Sequence, residues 1–229
     1  MEMRLASLAT AHIADACVRA GVAVRCVSLQ PVQPGKRVAG RVLPVRHAGS
    51  VDIFLEALET LAAPGDVLVV DNGGRPDEAC VGDLIALEAR DFGLSGIVIW
   101  GLHRDTADIK AIGLPVFSLG SIPAGPLSAR ERPDDALGAA MVGEWTVGNS
   151  DIVLGDDDGV VFIPAARAEE IFGLAETVRD TERRQAERIR SGASLRGQLQ
   201  FPAYLAKRAQ DPTLTFRAHL RSIAAAIEE

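Results

Sequence analysis

Residues 71–105 read DNGGRPDEACVGDLIALEARDFGLSGIVIWGLHRD, and they lie inside a longer alternation of apolar runs and helical periodicity. Short, wholly apolar runs are typical of buried strands, whereas apolar residues at helical spacing predict amphipathic helices. The elements expected over 67–119 are a strand at 67–70, a helix at 83–92, a strand at 97–100, a helix at 106–112 and a strand at 116–119. This alternation predicts parallel strands joined by crossover helices.

The flanking regions extend this core and contain no internal repeat. Upstream, helical spacing over 5–20 and 51–61 surrounds a strand at 40–45. Downstream, short runs separated by turn residues indicate an antiparallel portion. These expected antiparallel strands lie at 145–147, 152–154 and 160–163.

The C-terminal part of the chain is helical in pattern. A long charged helix is expected over 167–191, followed by a helical segment over 200–228 that is broken near Asp211-Pro212. We therefore predict an α/β fold, with a single domain over 1–195 that combines a parallel β-α-β core with antiparallel strands. A helical C-terminal arm over 196–229 completes the predicted organisation.

Composition excludes several classes of partner. The 229 residues are 48% hydrophobic, which suffices for a sizeable core, and no apolar run reaches the length of a membrane-spanning helix. The formal net charge of −7 argues against nucleic acid, because phosphate binding requires a positive surface. Three cysteines without zinc-ligand spacing and the lack of a signal-peptide layout predict a cytoplasmic protein. An anionic small substrate remains compatible with this charge.

Two polar loops follow the strand ends at Asp71 and Gly101, and each loop leads into a helix. If the two strands are parallel neighbours, both loops reach the same edge of the sheet, where ligands of open α/β sheets bind. Asp83 then lies in the first turn of one helix, and Arg104 and Asp105 lie at the start of the next. The sequence therefore predicts that these three side chains form one site.

The residue types of this site suit a 2-oxo acid. The unpaired backbone N–H groups near Leu84 and Ile85 can hold a carboxylate. Asp105 offers a hard oxygen for a magnesium-type cation, Arg104 can hydrogen-bond an oxygen that becomes negative, and Asp83 can orient water or move a proton. The resulting enolate is the intermediate of aldol cleavage and of oxaloacetate decarboxylation. Spacing alone leaves a structural alternative open, because helix caps and surface ion pairs use the same residue types.

The order of motifs resembles a known family. The chain contains Asp83, then twenty intervening residues, then Arg104-Asp105 and Asp108. This spacing resembles the signature of the 4-hydroxy-4-methyl-2-oxoglutarate aldolases, which are grouped with the ribonuclease-activity-regulator A-like proteins. The likeness runs from about residue 8 to about residue 196. The segments that agree are PGDVLVVDNGG (64–74), GIVIWGLHRD (96–105), LPVFSLG (114–120) and DDDGVVFIP (156–164).

The resemblance implies a fold of the swivelling β/β/α type and a class II aldolase that uses a divalent metal, Mg²⁺ or Mn²⁺. It also implies oxaloacetate decarboxylase activity and assembly as homotrimers or hexamers. Carried over by position, Asp105 is the metal ligand, Arg104 the enolate stabiliser and Asp83 the acid/base group, while Asp108 matches the acidic residue of the decarboxylase pattern. The implied substrate-binding positions are Gly82, Leu84, Ile85 and Arg104.

The chain departs from the family pattern at three points, which concern the identity of the substrate more than the chemistry. His103 stands where a small apolar residue is expected, and it is either a proton donor beside Arg104 or a partly exposed loop histidine. GNSDIVLG (148–155) replaces a glycine-aspartate turn. The tail after Arg196 lies outside the core resemblance.

A non-enzymatic regulator that binds another protein, such as a ribonuclease, is the alternative function. That branch need not keep the metal-binding Asp, so the presence of Asp105 favours an enzyme. No GxGxxG or P-loop motif supports dinucleotide, ATP or methyl-donor binding. The acidic segment 156–159 lacks the spacing of a calcium loop and is interpreted as a turn. Gly73-Gly74 favour close approach of the backbone to a ligand, and an ordinary flexible loop of the same composition is the alternative.

Overall fold

The computed structural model describes residues 7–223. Its strands are β1 (Arg25–Val27), β2 (Gln30–Pro31), β3 (Val38–Arg46), β4 (Val67–Asp71), β5 (Ala79–Val81), β6 (Gly96–Trp100), β7 (Leu102–His103), β8 (Val116–Ser118), β9 (Gly120–Ser121), β10 (Ala139–Val142), β11 (Trp145–Gly148), β12 (Asp151–Asp156) and β13 (Gly159–Pro164). Its α-helices are α1 (Thr10–Arg19), α2 (Asp52–Thr60), α3 (Asp83–Phe92), α4 (Thr106–Ile112), α5 (Ala168–Arg190), α6 (Leu195–Gln198), α7 (Phe201–Gln210) and α8 (Phe216–Ser222).

The main sheet has eight strands in the order β1-β13-β12-β3-β4-β6-β8-β2. Its centre is parallel, because β4 pairs in parallel with both β3 and β6, and β6 pairs in parallel with β8. Antiparallel strands β12, β13 and β1 extend one side, and β10 and β11 form a separate antiparallel hairpin. The predicted parallel core and antiparallel portion are therefore confirmed, in a mixed α/β fold with helical C-terminal segments.

The central strands β4 and β6 are apolar over residues 67–70 and 96–100 because both faces of the sheet are covered there. Leu68 and Val70 pack with helices α2 and α3 on one face. Val67 and Val69, one residue out of phase, pack on the other face with the hairpin strands and with Phe117. A third cluster lies between α1, α5 and strands β12 and β13. Two-sided burial removes the alternation of polar and apolar residues that a half-exposed strand would show.

A second, smaller sheet was not expected from the sequence. Strands β5, β7 and β9 pair in parallel in that order. Strand β7 begins immediately after Gly101, which follows β6, and β9 begins after Leu119, which follows β8. Gly101 and Gly120 have φ values of 156° and 144°, in a region that favours glycine, where the chain leaves the main sheet. Strands of two or three residues carry no readable periodicity, so this sheet could not be predicted.

Most predicted element boundaries agree with the structure. Helix α3 ends at Gly93, which has a φ of 97° and caps the helix in the left-handed conformation. The first helix begins at Thr10, later than expected, and Leu5 lies outside the described residues. The segment 156–159 forms the turn between β12 and β13, as interpreted. None of the helices in residues 7–223 combines the length and apolar composition needed to cross a membrane.

The C-terminal helices bury part of their apolar surface against one another. The ring centroids of Tyr204 and Phe216 lie 5.0 Å apart, and those of Phe201 and Phe216 lie 5.6 Å apart. Tyr204 and Leu220 are buried, and Gln198 Nε2 donates to the Gln185 carbonyl of helix α5. The arm therefore satisfies much of its own need for burial. The boundary between domain and arm at residue 195 stays a prediction.

Candidate active site

Three loops meet at the carboxyl edge of the small sheet. Strand β5 leads into Gly82 and Asp83, and its neighbour β7 leads into Arg104 and Asp105. Strand β9 leads into the segment that contains Gly125. The predicted convergence of two loops at one sheet edge is therefore correct in principle. The edge belongs to β5 and β7, however, and not to β4 and β6, because the chain crosses into the small sheet before each loop.

Arg104 and Asp105 lie directly beside the start of helix α3. Arg104 Nε is 3.3 Å from Asp105 Oδ2, and the Asp83 N–H points to the same carboxylate oxygen at 3.4 Å. The side chains of Arg104 and Asp105 are 48% and 34% exposed, so a ligand can reach both. The three residues predicted to form one site are thus close neighbours in space.

Asp105 holds an uncommon backbone conformation. Its φ and ψ are 58° and 41°, which is left-handed, and it occupies the N-cap position of helix α4 without a capping hydrogen bond from its side chain. Within residues 7–223, only Asp105 and Gln200 combine a positive φ with a side chain. Asp tolerates this region better than most residues, and such conformations cluster at functional sites. The conformation turns the Asp105 carboxylate back toward β5 and helix α3.

Two backbone N–H groups at the N-terminus of helix α3 differ in whether they already donate a hydrogen bond. The Leu84 N–H donates to Asp83 Oδ1 at 2.8 Å. The Ile85 N–H has no hydrogen-bond partner among the described residues. Gly82 caps the helix in an extended conformation without a side chain that could occupy this space. One of the two predicted carboxylate donors is therefore available, and the other is engaged by the carboxylate of Asp83.

Asp105 suits a cation of the magnesium type. Its Oδ2 faces Arg104 and the Asp83 amide, whereas its Oδ1 accepts no hydrogen bond from the described residues. No cluster of three or more His, Cys, Asp or Glu side chains that could enclose a metal occurs within residues 7–223. Mg²⁺ typically binds through one or two carboxylates and keeps several waters, so a single Asp fits such an ion. A closed structural zinc site does not fit.

The two residues proposed with less support from the sequence take no part in the contacts of Arg104 and Asp83, although His103 directly precedes Arg104 and feels the charge of Asp105. His103 is buried, with Nδ1 2.8 Å from Ser118 Oγ and Nε2 3.0 Å from Thr106 Oγ1. Both ring nitrogens are therefore engaged by hydroxyl groups, and burial lowers the pKa of His103 below its ordinary value. Asp108 is exposed in the first turn of helix α4. Neither has a described contact with Arg104.

A buried polar network that the sequence did not indicate lies next to the site. Glu78 is completely buried, and its Oε1 accepts a hydrogen bond of 2.7 Å from Arg130 Nη1. Arg130 Nη2 donates to Asn72 Oδ1 at 3.1 Å, and that oxygen also lies 2.9 Å from His47 Nδ1. Arg130 stands in a run of charged residues, which gave no sign that it reaches the interior. Burial raises the pKa of the neighbouring Cys80 to about 12, so this thiol is no nucleophile at neutral pH.

Comparison with known proteins agrees with the resemblance noted in the sequence. The sequence pattern of the RraA-like family, described as Aldolase/RraA, matches residues 10–162. This match covers about two thirds of the chain and includes every residue of the site described above.

Individual relatives are distant. The chain is 28% identical over 193 residues to Protein DlpA of Legionella pneumophila, covering 81% of this chain but 31% of DlpA. The chain thus spans about a third of the length of that relative. It is 28% identical over 148 residues to a Halalkalibacterium halodurans protein named "Putative 4-hydroxy-4-methyl-2-oxoglutarate aldolase", covering 65% of this chain and 70% of that protein.

One solved structure connects the fold to the regulator branch. RraAS2 of Streptomyces coelicolor, described as an unusual member of the RNase ES inhibitor RraA protein family, has a TM-score of 0.67 and 26% sequence identity to this chain. The similarity covers 77% of this chain and 90% of RraAS2.

We predict from the buried network how the free energy of unfolding depends on pH. Burial is the main cause that lowers the pKa of His47 from its ordinary 6.5, against the opposing effect of the hydrogen bond that His47 Nδ1 donates to Asn72 Oδ1. His47 therefore stays neutral in the folded protein at pH values where it is already protonated in the unfolded chain. Its contribution to stability is complete above pH 6.5 and is lost as the pH falls below that value, by up to about 1.4 kcal/mol per pH unit.

The measurement is the free energy of unfolding by urea between pH 5 and 8, for the wild type and for His47→Gln. We expect the decline below pH 6.5 to be shallower in the variant. Identical slopes for the two proteins would contradict the assignment of this titration to His47.

Proposed function

The chain belongs to the RraA-like family (Aldolase/RraA), and within that family we propose that it is a divalent-metal-dependent aldolase, a carbon-carbon lyase. The proposed reaction cleaves a 4-hydroxy-2-oxo acid, such as 4-hydroxy-4-methyl-2-oxoglutarate, to pyruvate and a second carbonyl compound. One observation supports it most directly: Arg104 and Asp105 lie against the N-terminus of helix α3. This small area therefore offers a ligand for a cation in Asp105, a donor to an oxyanion in Arg104 and a helix end that can bind a carboxylate. These three groups suit the chemistry of a 2-oxo acid.

The substrate carboxylate is proposed to bind at the start of helix α3. The Ile85 N–H is available there, while the Leu84 N–H donates to Asp83 Oδ1 at 2.8 Å. An incoming carboxylate competes with Asp83 for that second donor, and both carry negative charge. Substrate binding would therefore displace the Asp83 side chain from the amide and leave it available for proton chemistry.

The bond-breaking step is assigned to Asp83 and Arg104. Asp83, directly or through a water molecule, accepts the proton of the 4-hydroxyl group as the bond between C3 and C4 breaks. The electron pair of that bond moves into the 2-oxo group, and the guanidinium of Arg104 stabilises the oxygen that becomes negative. The proton taken up by Asp83 is then returned, directly or through the same water molecule, to C3 of the enolate, which yields pyruvate and restores the Asp83 carboxylate. A divalent cation, Mg²⁺ or Mn²⁺, bound at Asp105 would supply additional positive charge for the same polarisation.

Oxaloacetate decarboxylation would share this intermediate. Its C3–C4 bond breaks with release of carbon dioxide, and the same enolate forms beside Arg104. Asp108, exposed in the first turn of helix α4, is the residue that the family pattern associates with this second activity. We propose it as an accessory residue of the decarboxylation.

A regulator of a ribonuclease is the second candidate function. The family includes both aldolases and ribonuclease regulators, and the similarity to RraAS2 favours this alternative. Binding another protein would not require the carboxylate and guanidinium of the site. Metal-dependent release of pyruvate would decide between the two functions.

The first prediction from the proposed function concerns the metal ligand. We expect the wild type to release pyruvate from a 4-hydroxy-2-oxo acid or from oxaloacetate when Mg²⁺ or Mn²⁺ is present. Asp105→Asn should remove most of this activity, because hard cations prefer charged oxygen, while Asn tolerates the left-handed backbone equally well. The assay is pyruvate release over a panel of substrates, with and without metal.

Asp91→Asn provides the matched control, since Asp91 is an exposed carboxylate near the other end of helix α3, paired with Arg90. It should retain wild-type turnover. The ligand assignment is excluded if Asp105→Asn keeps turnover within about threefold of wild type, under ~1 kcal/mol of transition-state stabilisation.

The second prediction concerns Arg104. Lysine keeps the positive charge but lacks the planar fork of donors, so Arg104→Lys should lower turnover of both the aldol substrate and oxaloacetate. Loss of one oriented oxyanion donor typically lowers the rate by about a hundred- to a thousandfold. Metal affinity should change little. A shared enolate would be ruled out if one reaction kept its wild-type rate while the other was lost.

Assembly as a homotrimer or hexamer is the third proposal, and it follows from the family. Leu84 and Leu127 are 73% and 67% exposed, and Leu84 lies beside the site, where contact with a second copy would cover it. Light scattering at micromolar concentration should give a mass at least three times that of the chain. A monomeric mass would refute the proposal.

A further inference from the structure

Arg104 lies in a slot between two glycines that come from the flanking loops. A methyl group added at Gly82 would lie 3.2 Å from Arg104 Nε and would collide with the Asp105 carboxylate. A methyl group added at Gly125 would lie 2.6 Å from Arg104 Nη1, which is closer than nonbonded atoms approach. The guanidinium therefore occupies space that exists only because both neighbouring residues lack a side chain.

We propose that Gly125 is a positioning residue, whose missing side chain determines where the guanidinium of Arg104 lies. The proposal rests on the role assigned above to Arg104 in stabilising the enolate oxygen. Gly125 itself touches no reacting atom and acts through Arg104 alone. It lies in the third loop, after β9, and nothing in the sequence distinguished it from the other glycines.

The loop that contains Gly125 is held in place by the segment before Gly82. The Ala79 N–H donates to the Ala124 carbonyl at 2.8 Å, immediately next to Gly125. The Leu127 N–H donates to Glu78 Oε2 at 3.2 Å, and Arg130 Nη1 donates to Glu78 Oε1 at 2.7 Å. Gly82 and the loop of Gly125, which form the two sides of the slot, are therefore both attached to residues 78–82. The fold thus sets the distance between them.

The buried charge of Glu78 makes this attachment firm. Its carboxylate is fully buried, and a buried carboxylate without partners is strongly unfavourable. Arg75 Nε lies 3.4 Å from Glu78 Oε1, but the Leu127 amide and the Arg130 guanidinium come from the loop, so the loop cannot move away without removing both of these partners from Glu78. A steric conflict at Gly125 would therefore be relieved by the half-exposed Arg104 side chain and not by the loop.

Gly125→Ala tests this directly. The backbone of Gly125 lies outside the left-handed region, so alanine is conformationally acceptable and the variant should fold with little change in melting temperature. Displacing the guanidinium should lower kcat by about ten- to a hundredfold, since a misplacement of about 1 Å can cost that much. KM should change less than kcat, because the interaction is made mainly in the transition state.

Gly138→Ala is the matched control, because it lies further along the same connecting segment and its added methyl would be at ordinary contact, 3.4 Å, from the Asp135 carbonyl oxygen. This variant should keep wild-type kcat. A double-mutant cycle adds the decisive comparison: in the Arg104→Lys background, Gly125→Ala should change kcat by less than about twofold, because coupled residues are not additive.

The outcomes separate this inference from the proposed function. The positioning role is tested when the wild type is active and Arg104→Lys is impaired. In that case it is overturned if Gly125→Ala keeps the wild-type kcat. It is also overturned if Gly125→Ala lowers kcat by the same factor in the wild type and in the Arg104→Lys variant. If the wild type shows no 2-oxo acid activity with any divalent metal, the proposed function fails instead. A crystal structure of Gly125→Ala then decides the positional claim independently: a displaced guanidinium supports it, and an unmoved one refutes it.

Discussion

Strand β7 contains only two residues, yet its hydrogen bonds to parallel neighbours on both sides determine where the side chains of the site lie. The Arg104 N–H donates to the Val81 carbonyl at 3.0 Å, and the Ile122 N–H donates to the His103 carbonyl at 3.0 Å. These bonds hold the exits of β5, β7 and β9 side by side. Because parallel strands end at the same edge, the backbone alone brings the three loops together.

The crowding of three loops at one edge explains the glycines there. Arg104 emerges from the central strand, so its side chain must pass between the residues that follow the two outer strands. Gly82 and Gly125 occupy those positions, and a side chain at either would meet Arg104. The same arrangement places the Arg104 guanidinium, the Asp105 carboxylate and the start of helix α3 within contact of one another. Preorganisation of this kind lets a donor act on a developing charge without first rearranging.

The net negative charge of the chain does not exclude the anionic substrate proposed for this edge. The formal net charge is −7, but the site combines the carboxylates of Asp83 and Asp105 with the guanidinium of Arg104 and the partial positive charge of a helix N-terminus. The cation proposed at Asp105 would add further positive charge. The Leu84 N–H already donates to a carboxylate oxygen, Asp83 Oδ1, at 2.8 Å. The buried pair of Glu78 and Arg130 contributes no net charge and serves to hold the loop of the third strand in place.

The sequence by itself determined the parallel core, most helix limits and the grouping of Asp83, Arg104 and Asp105. These features depend on local signals: uninterrupted apolar runs, helical spacing, a left-handed glycine cap at Gly93 and the order of motifs. Only the tertiary structure revealed the small sheet, the engagement of the Leu84 amide by Asp83, the network of Glu78 and Arg130, and the position of Gly125. The physical reason is that two-residue strands leave no periodic pattern, and that a missing side chain has meaning only relative to what packs against it. Arg104 and Gly125 are twenty-one positions apart in the chain, and parallel pairing of β7 with β9 makes them neighbours.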